Sequence, residues 1–121
     1  MENLALVGEY TSAFNEMLNI SLPCGSIYKA SGVDIHIAKR HPDCIKYIKL
    51  IPDIIKNPDY IGTSPKEPNS VEFIKKMDDH ILVAVKLDEK NNYLYIASLY
   101  DISQSKVERR LHSGRIKFFP K

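Results

Sequence analysis

Between residues 105 and 115 the chain gathers Ser105, Lys106, Arg109, Arg110, His112, Ser113 and Arg115. These are the groups that phosphate chemistry uses. Guanidinium forks match phosphate oxygens at two points, hydroxyls donate hydrogen bonds, and imidazole exchanges a proton near neutral pH. Ser105, Arg109 and Ser113 repeat every four residues, as do Lys106 and Arg110. On a helix that spacing places hydroxyls and cations along the two sides of an apolar stripe made by Val107 and Leu111. Glu108 is the single acid in this basic stretch, so the local field is positive although the whole chain carries a formal net charge of only +2. As a bland alternative, the same residues describe an exposed, solvated basic helix, with His112 paired to Glu108 one turn earlier.

Upstream, His36 and His41 stand five residues apart, and Lys86 interrupts an apolar run between Val85 and Leu87. Ser98 and Tyr100 share one face of a later strand-like run. Whether Lys86 joins that face depends on the intervening loop. Pairing Lys86 with Tyr95 gives one register, and a loop one residue longer or shorter puts Lys86 and Ser98 on one face. Tyr60, Tyr93, Tyr95 and Tyr100 are rings on which bases could stack, although strand tyrosines are more often packing residues.

Several elements must position these side chains. Leu4, Leu6, Val7, Tyr10, Phe14, Met17 and Leu18 recur at three- and four-residue intervals, which predicts an amphipathic opening helix ending near Asn19. Residues 26–30 read as a strand, Ser31-Gly32 as a turn, and 33–38 as a second strand whose alternation puts His36 on the polar face. A helix is expected from Pro42, in whose first turn the missing N–H is harmless, with Pro52 kinking or restarting it. Residues 60–69, with Gly62, Pro65 and Pro68, read as a loop. Strands are expected at 70–77, 81–87, 93–100 and 115–119, with a short helix opened by Asp101 or Ser103 and stopped at Gly114. The order predicts an α+β domain, an antiparallel sheet of about four strands with helices on one face.

At 121 residues, 44% hydrophobic and 26% charged, the chain fits one compact soluble domain with a modest core. Cys24 and Cys44 have no Cys-x-x-Cys partner, so neither a zinc ribbon nor a disulfide framework is indicated. The first residues are acidic where a secretory signal needs basic ones, and no apolar run approaches a membrane span, so a cytoplasmic location, bacterial or in a phage-infected host, is expected. A Gly-rich phosphate loop is missing as well, which argues against nucleoside triphosphate use.

The joint order of His41-Pro, Asn57-Pro-Asp-Tyr-Ile-Gly, Val85-Lys-Leu-Asp, residues 95–100, Ser105-Lys and Arg110-Leu-His-Ser-Gly-Arg resembles the phage-encoded branch of the barnase/EndoU/colicin/RelE-like nucleases. The resemblance spans roughly residues 25–119, leaving 1–24 as a helix or leader and 25–121 as the nuclease domain. It implies helices packed on a four-stranded antiparallel sheet and metal-independent cleavage of RNA, in which the 2'-OH attacks the neighbouring phosphate and the 5'-oxygen leaves. That reaction needs a base, an acid and cations near phosphorus, and no cofactor or metal. On this basis His41, His36, Lys86 and Ser98 are the expected catalytic residues. Ser105, Lys106, Arg109, Arg110, His112, Arg115, Tyr60 and Tyr100 are expected to hold substrate. A toxin-like, phage-linked role with RNA as substrate and an immunity or antitoxin protein as partner follows from the same resemblance. Two other readings use the same basic face, a non-catalytic RNA-binding module and a phage-associated protein-interaction domain.

Overall fold

A computed structural model describes residues 4–120. Its strands are β1 (Leu4–Tyr10), β2 (Gly25–Ala30), β3 (Tyr60–Ser64), β4 (Glu67–Lys76), β5 (His80–Asp88), β6 (Tyr93–Ile102) and β7 (Ile116–Phe118). Its helices are α1 (Ser12–Leu18), α2 (Ser31–Arg40), α3 (Ile51–Lys56) and α4 (Gln104–Ser113), with a 3-10 segment, Pro42–Leu50, between α2 and α3. The strands form one sheet in the order β1-β2-β6-β5-β4-β3-β7. Every neighbouring pair is antiparallel except β2 and β6. The α+β class stands, while the sheet has seven strands where about four were expected.

Two opposed faces follow from the period-two alternation of the central strands. On the first face Val71, Phe73, Ile81, Val83, Val85, Leu94 and Ile96 are buried against Phe14 of α1, Ile37 of α2, Tyr47 of the 3-10 segment and Ile51, Ile54 and Ile55 of α3. Phe14 meets the Phe73 ring edge-on, with centroids 5.2 Å apart. On the second face α4 lays Val107 and Leu111 over Ile74, Leu82, Ile102 and Ile116. Helices therefore cover both sides, the first almost wholly and the second only toward the end of the sheet where Ile74 and Leu82 lie.

Residues 4–10 form an edge strand of the sheet rather than the start of a helix, and only residues 12–18 are helical. Residues 33–38 belong to α2 rather than to a second strand, and residues 60–69 contribute β3 and the start of β4 rather than a loop. Pro68 is tolerated in β4 because it precedes Ser70, where the pairing with β5 begins. The late helix is as expected: the Ser103 hydroxyl accepts from the Lys106 N–H at its start, and Gly114 with φ 80° ends it.

Candidate active site

On the second face, the sheet register sorts the polar side chains into rows. Ser70, Lys86 and Tyr95 lie side by side across β4, β5 and β6, then Glu72, Ala84 and Ser98, then Ile74, Leu82 and Tyr100. A bulge resolves the strand register. Ala97 is the extra residue of β6, so Lys86 pairs with Tyr95 and yet shares its face with Ser98, which sits opposite Ala84. Both of the alternatives posed by the sequence are thus realised in one strand.

Glu72 is the centre of the middle row. Its neighbours there are Gly62 on β3 and Ala84 on β5, residues with little or no side chain, which leaves a recess above the carboxylate. Two guanidiniums fill that recess. Arg115 Nη2 donates to both carboxylate oxygens, at 3.0 and 3.1 Å, and Arg110 Nη1 reaches Oε1 at 3.4 Å. The Glu72 side chain is only 5% exposed, so the charge it brings inside the sheet face is compensated by these cations.

The spacing of Arg110 and Arg115 has a backbone cause. At the end of α4 the Gly114 N–H bonds to the Leu111 carbonyl and the Arg115 N–H to the Arg110 carbonyl, a Schellman-type reversal that needs the left-handed conformation glycine provides. The chain folds back through one turn, and both guanidiniums converge on a single carboxylate. Arg115 is further tied by its Nε donating to the Thr63 carbonyl at 3.0 Å.

Tyr100 adjoins this cluster. Burial of its hydroxyl raises its pKa above the ordinary tyrosine value, the Glu72 carboxylate adds to the rise, and the Arg110 and Arg115 guanidiniums oppose it. The phenol accordingly stays protonated at physiological pH. Over its ring lies His41, with centroids 5.5 Å apart, and His36 stands 6.5 Å beyond His41. His41 occupies a junction: its N–H closes α2 onto the Ile37 carbonyl and its own carbonyl accepts from the Cys44 N–H of the 3-10 segment.

His36 is exposed on α2, not on a strand face. Because α2 packs beside β6 where β2 has left it, His36 lines a cleft of about 600 Å³ together with Lys86, Asp88, Tyr93 and Tyr95. Lys86 meets Glu67 at 3.3 Å in a half-exposed pair, which water screens to at most about 1 kcal/mol, so its ammonium is free to exchange partners.

His41, Tyr100, Arg110, Arg115 and Glu72 therefore form one continuous set, and His36 with Lys86 extends it. Lys106, Arg109, Arg110, Ser113 and Arg115 line a second cleft, of about 560 Å³. Ser105 and His112 sit farther out on α4, in a shallow depression shared with Glu108 and Arg109. Glu108 accepts from Gln104 rather than from His112. Tyr60 lies apart, packed on Phe118 and His80 at the opposite end of the strands from Lys86. Glu72 was not singled out from the sequence. Its signal is Val71-Glu72-Phe73-Ile74, an acid inside an apolar strand, as Lys86 is a cation inside one.

Among the described residues, no three His, Cys, Asp or Glu side chains converge as metal ligands would, and no helix is long and apolar enough to cross a membrane. No curated protein and no solved structure matches the chain. A family model does, that of the phage-Barnase-EndoU-ColicinE5/D-RelE like nuclease 3, over residues 5–109, and with most of its length so matched the chain belongs to that nuclease family.

Proposed function

We propose that the protein is a metal-independent ribonuclease that cleaves RNA by attack of the 2'-OH on the adjacent phosphate. The observation that carries this reading is the pair of guanidiniums aimed by buried Glu72 beside protonated Tyr100 and the His41 ring. Arg110 and Arg115 take the charge that develops on the non-bridging oxygens. Glu72 is a positioning residue, because both of its oxygens are spent on Arg115 and Arg110. His41 removes the 2'-OH proton. His36 returns a proton to the departing 5'-oxygen, and Lys86 and Tyr100 hold the phosphate from the two sides. The products are a 2',3'-cyclic phosphate and a 5'-hydroxyl, so the atoms balance without any cofactor. Ser98, in the Glu72 row, hydrogen-bonds the same phosphate or its ribose.

A toxin role fits this chemistry and the phage-linked family. An immunity or antitoxin protein would cover the basic face with acidic residues.

Incubation of RNA with the protein in a chelator tests the reading. Cleavage leaving cyclic or 3'-phosphate ends is expected, and His41→Ala should lower kcat by about 10²- to 10⁴-fold while RNA binding is retained. Recovery of 3'-hydroxyl ends, or a strict magnesium requirement, would sink it. Binding without cleavage in the native protein would instead favour an RNA-binding module.

A further inference from the structure

Three of the tyrosines differ from the rest. Tyr28, Tyr93 and Tyr95 are half-exposed and belong to neither hydrophobic cluster, whereas Tyr10 and Tyr47 lie in the first and Tyr60 and Tyr100 pack on the second. Their hydroxyls, like that of buried Tyr47, make no hydrogen bond within the described residues.

The rings form a contiguous patch. Parallel pairing of β2 with β6 sets Tyr28 beside Tyr95, and Tyr93 stands within 6.0 Å of both rings, edge-on to Tyr28 and tilted to Tyr95. On either side of Tyr93 the surface is concave. The cleft of about 600 Å³ holds Tyr95, Lys86 and His36, and a smaller one of about 210 Å³ holds Tyr28 and Asn92. Tyr93 is a wall of both.

We propose that Tyr28, Tyr93 and Tyr95 form a stacking platform for unpaired nucleobases of single-stranded RNA, an extended subsite flanking the scissile phosphate. The platform is contiguous with the cluster described above, since His36 lines its larger cleft and lies beside His41. Every nucleobase has a π-face, so a row of rings binds a strand with little regard to sequence. Lys86 lines the same larger cleft as Tyr93 and Tyr95, so the platform begins beside the cation that holds the scissile phosphate. The inference rests on RNA being the substrate, and it adds that the enzyme grips bases upstream or downstream of the bond it cuts.

The test compares a diribonucleotide with an adenosine octamer, and with octamers carrying one abasic position scanned along the strand. Tyr28, which lines only the smaller cleft, is the ring to change: Tyr28→Leu keeps apolar bulk on β2, and Tyr28→Phe keeps the ring. Tyr28→Leu should leave kcat/KM for the diribonucleotide unchanged and lower it about 10-fold for the octamer, through KM, while Tyr28→Phe behaves as the native protein. At one position the abasic change should cost the native protein about the same factor and cost Tyr28→Leu nothing. Equal losses on short and long substrates, or an abasic cost that is the same in both proteins, overturns the platform. If the native protein cleaves neither substrate, the ribonuclease reading fails on its own. Octamer affinity, read by fluorescence anisotropy with the same abasic comparison, then decides the platform: a penalty confined to proteins with a ring at position 28 supports it, and no such difference refutes it.

Discussion

Glu72 shows how much a single side chain fixes here. A carboxylate enclosed in a sheet face costs several kcal/mol unless it is paired and hydrogen-bonded, and Arg110 and Arg115 do both. Their own side chains remain 17% and 25% exposed, so they keep part of their hydration. Glu72→Gln keeps the shape and removes the charge, leaving two guanidiniums facing a neutral amide. We expect it to lower unfolding free energy by about 2 kcal/mol, less than the 3–5 kcal/mol of a fully buried pair because water still reaches the cations. In urea unfolding the midpoint should fall with an unchanged slope, and kcat should drop well beyond what the unfolded fraction explains. A stability and a turnover that both match the native protein would remove Glu72 from the site. Its neighbours explain why the sequence carries its charge but not its role: the recess depends on Gly62 and Ala84 lying beside it, and cross-strand neighbours are not adjacent in sequence.

At the scale of elements, the motif Asn57-Pro-Asp-Tyr-Ile-Gly acts by placing β3. The Asp59 N–H bonds to the Ile74 carbonyl, its carboxylate accepts from the Lys76 N–H, and its carbonyl accepts from the Phe119 N–H. Gly62 at the end of the motif lies so close to β7 that an added Cβ would overlap the Arg115 carbonyl and Ile116 Cγ2. Backbone atoms cannot step aside as a flexible side chain can. Gly62→Ala should therefore push β7 outward, destabilise the fold by about 1–3 kcal/mol and draw Arg115 off Glu72. Thermal unfolding and kcat should fall together in this variant, and wild-type values for both would contradict the account. Element boundaries were legible where local chemistry decided them, as at Ser103 and Gly114. They were not where tertiary context decided. In β1 a register shift between Leu6 and Gly8 leaves Val7 and Tyr10 as the buried positions, three apart, and so imitates a helical period. In α2 the alternation of Val33, Ile35 and Ile37 suggested a strand, yet Ile35 is 71% exposed. The more informative signal was Asp34 in the first turn with Lys39 and Arg40 in the last, which complements a helix dipole.

On the scale of the whole molecule, the sheet divides labour between its faces. The first holds most of the apolar core, and the second, half covered by α4, presents the polar rows, the arginines and the tyrosine patch. With 17 Lys and Arg against 15 Asp and Glu, the mean field is weak, and what steers a polyanion is where the uncompensated cations lie. Arg110 and Arg115 are already neutralised in part by Glu72, whereas Lys106 and Arg109 are exposed on α4 with no acidic partner among the described residues. The two kinds of cation should therefore answer differently to salt. Each phosphate contact made by an uncompensated cation contributes about 0.7 to the slope of log affinity against log salt for a single strand. Arg109→Ala should reduce that slope by roughly this amount with little change in kcat. Arg110→Ala should change the slope less and kcat far more, because its cation is set on the Glu72 carboxylate to meet the reacting phosphate. Octamer affinities measured from low to high salt for the two variants settle the assignment. If Arg110→Ala takes the larger share of the slope and Arg109→Ala none, the strand runs over the sheet and not along α4.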